Sequence, residues 1–491
     1  MDKFYITTAI PYVNAKPHLG HALEFVQADV IARYQKTAGK EVFLTTGADE
    51  NSLKNVQAAE KLGISTQELC NRNSELFKKF AQTIGLSFST FMRSSNPDLH
   101  LPGIKKLWNA CVKNGDIYKK RYKGLYCVGC EAFYTEDELV DGLCPEHLTK
   151  PEVVEEENYF FTLSKYQRKL IELIEGDSLL VYPESRKNEV LSFVKSGLKD
   201  FSVSRSSERA KDWGLSVPGD ASQKIYVWFD ALGIYLTGVG FGRDENLFKK
   251  WWPADVHVIG KGIIRFHAVY WPAMLLSAGL ELPRKIFVHD YVTVEGQKMS
   301  KSLGNAVDPM QLLERYPVDA VRYFLIRESP AWKDADFSEA ALRARIDGEL
   351  VADLANLVAR ILTIAEKTDV GSISGAEELL VHSNVDKVRK SMEDFDMYGA
   401  INEIWAVIRM VNKYINDTRP WEAKGAALGK ILYNALEAIR IIAILIQPFM
   451  PSTSERIFEQ LGVQPQPLSE ARFKRFEGRP KRGKNLFERA K

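Results

Sequence analysis

The spacing of apolar residues changes period several times along the chain. Two runs near the start, "FYITTAI" (4–10) and "EVFLTTG" (41–47), are short, rich in β-branched and aromatic residues, and end in turn formers, as strands do. Between them Leu23, Val26, Val30, Ile31 and Tyr34 recur at helical spacing, with Gly39 as a stop. Strand, helix and strand in that order predict a βαβ unit, and such units build parallel sheets. The helix begins beside Gly20. Its N-terminus is therefore expected at the carboxyl end of the first strand, where open α/β sheets bind ligands.

The alternation breaks over residues 116–150, a turn-rich, cysteine-containing stretch, and then resumes. "QKIYVWFDAL", "DVHVIGKG" and "KIFVHDYVTV" predict strands or strand ends, with a helix over "IIRFHAVYWPAMLLSAG" between the last two. The sheet is expected to be split by an insertion. Beyond about residue 340 the strands stop. "ALRARIDGELVADLANLVARILTIAEKT" keeps a helical apolar period, "GSISG" (371–375) is a linker or turn, and three further helical stretches follow up to residue 461. This half predicts a helix bundle.

Length and charge narrow the class. At 491 residues the chain exceeds one compact core, and two to four domains of roughly 100–200 residues are expected. A hydrophobic share of 45% and a charged share of 26% are ordinary for a soluble protein. The net charge is only +2, so a polyanion would have to be met by local patches. The richest patch is the end of the chain, where residues 472–491 hold nine Lys or Arg against two Glu. That tail suits either a nucleic-acid contact or a solvated end. No secretory or transit-peptide pattern opens the chain. The most apolar late run, "ALEAIRIIAILIQPFM", contains Glu437, Arg440 and Pro448, which predicts a buried bundle helix and no membrane span. Five cysteines, three of them clustered, fit a reducing cytoplasm better than a disulfide scaffold.

Three stretches carry candidate chemistry. Cys127-x2-Cys130-x13-Cys144-x2-His147 sets three thiolates and an imidazole in two paired knuckles, a set that suits tetrahedral Zn2+ in a closed, structural site. Cys70 and Cys111 lack such partners and are expected in the core. "KPHLGHALE" places His18 and His21 three apart at a helix start, where they could hold a metal, cap the helix or grip a phosphate. "VEGQKMSKSLGNAVDP" (294–309) sets Lys298 and Lys301 between Gly296 and Gly304. Such lysines could neutralise charge growing on a phosphate chain, or could belong to a solvated basic loop.

Taken together, "HLGH" (18–21) and "KMSKS" (298–302) resemble the HIGH and KMSKS signatures of class I aminoacyl-tRNA synthetases. The longer stretches "TTAIPYVNAKPHLGHALEFVQADVIARYQ", "YVWFDAL", "RFHAVYWPAML" and "GQKMSKSLGN" are similar to the methionyl-tRNA synthetase family, over nearly the whole chain. The insertion is only about 100 residues, too short for the editing domain of the leucine, isoleucine and valine enzymes.

The resemblance implies an α/β fold. A Rossmann-like catalytic domain (1–115 and 216–290) is split by a connective insertion (116–215) with a zinc knuckle at about 122–150. A KMSKS-loop linker (291–345), an all-α anticodon-binding bundle (346–470) and a basic tail (471–491) follow. It implies activation of L-methionine with ATP and Mg2+, and transfer of the methionyl group to tRNA(Met). It assigns His18, Gly20, His21, Lys261, Lys298 and Lys301 to ATP, with His18, His21, Lys298 and Lys301 catalytic. Tyr12, Trp228, Tyr235 and His267 are assigned to the methionine side-chain pocket, Ile10 and Pro11 to its backbone wall, and Asp49 to the ammonium group. Asn356, Arg360 and Trp421 are assigned to the anticodon. A cytoplasmic location is expected from the cysteine usage above. A monomer is expected, since no appended dimerising domain is evident. The chain departs from the family pattern at Gly262, where Asp is usual, and at Asn51-Ser52, where His-Gly usually follows the glutamate.

Overall fold

The computed structural model describes residues 2–127, 132–134, 136–145, 148–298, 307–330, 333–369, 373–379 and 381–490. Six strands form one parallel sheet: β1 (Lys3–Thr8), β2 (Glu41–Ala48), β3 (Thr90–Arg93), β4 (Leu180–Tyr182), β5 (Val256–Gly260) and β6 (Lys285–His289). Their spatial order is β3-β2-β1-β5-β6-β4, and every neighbouring pair is parallel. The expected first strand–helix–strand unit is present, with helix α1 over Leu19–Thr37. Alternate residues of β1 serve opposite faces. Phe4 and Ile6 join a core that runs through α1 into the C-terminal helices, and Tyr5 joins the core on the other face. The chain order reverses between β1 and β5, so the crevice at their carboxyl ends is a topological switch point.

The insertion is less simple than its sequence suggested. A long antiparallel ribbon, Ile117–Cys127 against Glu152–Phe161, carries the short strands Ala132–Tyr134 and Phe201–Ser202 at its sides. Yet β4, from the middle of the stretch expected to be insertion, returns to pair with β6 in the main sheet. Three residues give no period, so this strand left no trace in the hydrophobic pattern. "QKIYVWFDAL" is a strand only to Ile225. That strand lies in a small antiparallel sheet, and Val227–Leu232 is helical.

Beyond the sheet, helix α2 (Val318–Arg327) leads into the bundle. The bundle contains α3 (Asn356–Ala365), α4 (His382–Glu393), α5 (Met397–Thr418), α6 (Gly425–Ile446) and α7 (Pro451–Leu461). Four helices therefore follow the linker where three were expected. Asp394–Asp396 separates α4 from α5, and Asp396 caps α5 through its side chain. The basic tail is not a loose end. It folds back as an extended strap, burying Phe476, Leu486 and Phe487 against the bundle.

One buried ion pair joins these parts. Asp29 on α1 and Arg322 on α2 are both fully buried and 2.6 Å apart. Arg322 also donates to the carbonyls of Ile84, Pro448 and Phe449, the last two in the turn between α6 and α7. No described helix is long and apolar enough to cross a membrane.

Candidate active site

The residues at the carboxyl end of β1 build the first wall. His18 is the N-cap of α1, and its Nδ1 accepts a bond from the Gly20 backbone N–H at 3.1 Å. The His18 N–H in turn donates to His21 Nδ1 at 3.2 Å. The two rings stack with centroids 3.8 Å apart, and His21 also meets the Phe77 ring edge-on. Both Nδ1 atoms face backbone N–H groups, which can only donate. Each neutral ring therefore carries its proton on Nε2, and the pair presents two Nε2–H donors at a helix N-terminus. Burial, with the neighbouring His18 and His289, holds the pKa of His21 well below its usual value. The capping reading of the motif is thus realised, and it leaves the anion-gripping reading compatible with the same ring orientation. Gly20 has a sharper role than expected: a Cβ there would come within 2.9 Å of the His18 ring. Its lack of a side chain is what lets His18 fold over the helix end.

The second wall is aromatic. Trp228, in the first turn of the helix Val227–Leu232, stacks on Phe266 at 3.9 Å and stands edge-on to Tyr12 and His267. Tyr235 Oη is 2.8 Å from His267 Nε2, while His267 Nδ1 is 2.9 Å from the Ile263 carbonyl. The carbonyl can only accept, so Nδ1 carries the proton and Nε2 accepts from Tyr235. Burial lowers the pKa of His267 to about 4 and raises that of Tyr235 well above its usual value. The wall is therefore neutral at pH 7. His267 lies in a π-helical turn, Phe266–Tyr270, a local widening that recurs at functional sites.

The floor is the segment after β2. Asp49 is buried and bridges in parallel register to Tyr12, and its N–H donates to the Pro11 carbonyl, placing Ile10–Tyr12 alongside it. Asn51 joins the floor to the aromatic wall. Its N–H lies 3.3 Å from Asp49 Oδ1, and its amide donates to Asp230 Oδ2 at 2.6 Å, on the Trp228 helix. Asp230 is held from its other oxygen by the buried His100, which also bonds Thr237. Glu50 is buried among Ser74, Arg93 and Ser95, and its carbonyl takes the Trp213 indole N–H from the insertion. Sequence reasoning missed Asn51, Asp230, His100 and Phe266. The one available signal was the departure at Asn51.

At the carboxyl end of β5, Lys261 pairs with Asp334 at 2.5 Å and Asp290 at 3.3 Å and lies over the Tyr291 ring. A side chain at Gly262 would collide with the Tyr291 hydroxyl. That departure from the family is thus accommodated by packing: tyrosine fills the space an aspartate would need. The backbone of Lys298 belongs to a hairpin, Val292–Val294 with Gln297–Lys298. Its two turn residues, Glu295 and Gly296, have φ of 52° and 74°, as in a type I′ turn. Lys301 lies outside the described residues.

On the bundle, Asn356 and Arg360 are exposed on α3, and Arg360 bonds the amide oxygens of Asn412 and Asn416 on α5. Trp421 is 54% exposed. It occupies the turn after α5, where Arg419 takes a left-handed φ of 45°, and α6 starts only at Gly425. A helix start would be natural just after Pro420, but Trp421 lies in a turn instead. Of the proposed zinc set, Cys127 and Cys144 are buried, while Cys130 and His147 lie outside the described residues. Among the described residues, no group of three or more His, Cys, Asp or Glu is placed to hold a metal.

The profile of the family described as "tRNA synthetases class I (M)" matches residues 4–150 and 147–362. That of "Anticodon-binding domain of tRNA ligase" matches residues 380–488. A methionine–tRNA ligase of Caldanaerobacter subterraneus is 44% identical over 475 residues, covering 94% of this chain and 74% of its own length. One from Brucella suis is 42% identical over 479 residues, covering 94% of this chain and 92% of its own. The chain belongs to the methionine–tRNA ligases. The fold of this ligase agrees. The Mycobacterium tuberculosis methionyl-tRNA synthetase in complex with methionyl-adenylate superposes with a TM-score of 0.94 at 40% identity, covering all of both chains.

Proposed function

We propose that the chain activates L-methionine with ATP to methionyl-adenylate and pyrophosphate, then transfers the methionyl group to the 3′ end of tRNA(Met). The observation that carries this reading is the His18–His21 cap, two oriented N–H donors at the switch point of the sheet, in a chain of this family. In the first step a methionine carboxylate oxygen attacks the α-phosphorus, and the bond to pyrophosphate breaks. His18 and His21 hold phosphate oxygens through Nε2–H, and Lys298 and Lys301 offset charge growing on the leaving pyrophosphate. Lys261 belongs to the nucleotide edge of the site, and Mg2+ accompanies the ATP phosphates. In the second step the terminal ribose hydroxyl of the tRNA attacks the methionyl carbonyl and AMP leaves. Positioning and electrostatics carry most of the work.

Methionine would lie with its thioether among Tyr12, Trp228, Tyr235 and His267, a polarizable apolar slot, along the backbone of Ile10 and Pro11. Its ammonium would face Asp49. The neutrality of His267 supports this placement, because an imidazolium there would repel the ammonium. Asn356, Arg360 and Trp421 would read the CAU anticodon through edge contacts and stacking. Cys127, Cys130, Cys144 and His147 would hold one structural Zn2+. The burial of Cys127 and Cys144 and the chemistry of three thiols and an imidazole support that fit. The chain would act as a cytoplasmic monomer.

ATP–pyrophosphate exchange with each of the twenty amino acids tests the reading. Exchange with methionine alone is expected, and exchange only with another amino acid would refute it.

A further inference from the structure

The chain's positive charge is unevenly placed. Its last twenty residues hold nine Lys or Arg against two Glu, leaving 57 basic and 62 acidic side chains in the rest. The entire net positive charge of the molecule therefore sits in the terminal strap.

The strap is fastened through its backbone. The N–H of Lys474 donates to Glu437, that of Lys481 to the Gln460 carbonyl, that of Arg482 to Glu366 and that of Gly483 to the Gln460 side chain. Where it crosses the end of α7 a glycine is required on each side. A Cβ at Gly462 would come within 2.6 Å of the Arg479 carbonyl, and one at Gly478 would collide with the Leu461 carbonyl. Side chains then alternate. Phe476, Gly478 and Pro480 face inward, and Arg475, Glu477, Arg479 and Lys481 face out, followed by exposed Arg482 and Lys484. Among the described residues none of these five basic side chains makes an ion pair, although surface cations elsewhere commonly do. Glu366, where Arg482 docks, closes α3, six residues past Arg360 and so roughly 9 Å farther along the helix axis.

We propose that Arg475, Arg479, Lys481, Arg482 and Lys484 form a phosphate-binding stripe that receives the backbone of the tRNA anticodon arm beside the base-reading residues. The stripe rests on the tRNA-ligase reading above. Fixed backbone and five outward cations outside any ion pair, in excess over the interleaved Glu477 and the Glu366 carboxylate at Arg482, are what a sequence-independent polyanion contact needs. Such contacts set the register on the nucleic acid and leave base choice to Asn356, Arg360 and Trp421.

The test is tRNA binding by the full chain over a KCl series, comparing wild type with a variant carrying Arg479→Gln, Lys481→Gln, Arg482→Gln and Lys484→Gln. The slope of log affinity against log salt should become shallower by about 3, near 0.7–0.9 per lost contact. Affinity near 100 mM KCl should fall about tenfold or more, while methionine-dependent ATP–pyrophosphate exchange stays at the wild-type rate. The loss should be equal for a tRNA with altered anticodon bases. A variant with Arg479→Lys and Arg482→Lys should keep the wild-type slope. An unchanged slope in the neutral variant, a loss confined to the CAU tRNA, or a loss in the lysine variant would each overturn the stripe. Failure of the wild-type chain to exchange with methionine would strike the functional reading itself, an outcome the binding series keeps separate.

Discussion

His267 shows how a single side chain can be set by its surroundings. Its Nδ1–H is taken by the Ile263 carbonyl and its Nε2 by the Tyr235 hydroxyl, so both nitrogens of the neutral ring are bonded. Burial, which outweighs the opposing effect of the Ile263 bond, lowers its pKa to about 4. The unfolded chain binds a proton that the native state refuses, so the stability this residue contributes is present above about pH 6.5 and is lost as the pH falls toward 4. The size is about 3 kcal/mol. Urea unfolding at several pH values should show wild type losing roughly that much more than His267→Gln between pH 6.5 and 4; parallel curves would contradict it. The histidines at 18 and 21 were legible in the sequence because both lie in one helix start, and their spacing carries the geometry. Asn51, Asp230 and His100 were not, because their bonds span 179 and 130 residues and only the fold brings them together.

At the scale of elements, long periodic segments were readable and short or irregular ones were not. The helix Leu19–Thr37 and the bundle helices follow their apolar period, since burying one face against a core fixes the pattern. The π-helical stretches Phe266–Tyr270 and Ile346–Ala355 keep nearly the same composition as an α-helix and differ only in hydrogen bonding. The turn after α5 is a third case. It holds Trp421 out toward solvent, on an element too short to have any period. Stacking of a base on an aromatic ring contributes about 1–3 kcal/mol. Trp421→Ala should accordingly lower the kcat/KM of tRNA charging by roughly 10- to 100-fold and leave ATP–pyrophosphate exchange intact. Equal loss in both assays would remove the tryptophan from the anticodon role.

Across the whole molecule, the bond between Asp29 and Arg322 ties helix α1 to α2 and, through the other bonds of Arg322, to the turn between α6 and α7. The flanking arginine Arg33 and Ser87 complete the carboxylate's partners, and together with Arg322 they keep its pKa below the usual carboxylate range. Removing one partner leaves a buried charge uncompensated, which costs about 3–5 kcal/mol. Arg322→Met should lower the urea midpoint by that equivalent, and adding Asp29→Asn should restore part of it. A loss below about 1 kcal/mol would mean that water reaches the site. The sequence places both residues inside helical periods, where a charge reads as solvent-facing, and nothing local reports that each faces the other.

The same arginine limits how the molecule can be taken apart. Two of its carbonyl acceptors, at Pro448 and Phe449, lie beyond the bundle's longest helices, some 126 residues down the chain. A catalytic fragment ending near residue 345 would keep the guanidinium and lose half its acceptors. A chimera that borrows the helical half of a relative must import the turn at 448–449 and the residue at 322 as one matched set. The boundary between catalysis and tRNA reading is clear in the order of the chain, and it is not a seam along which the protein can be cut.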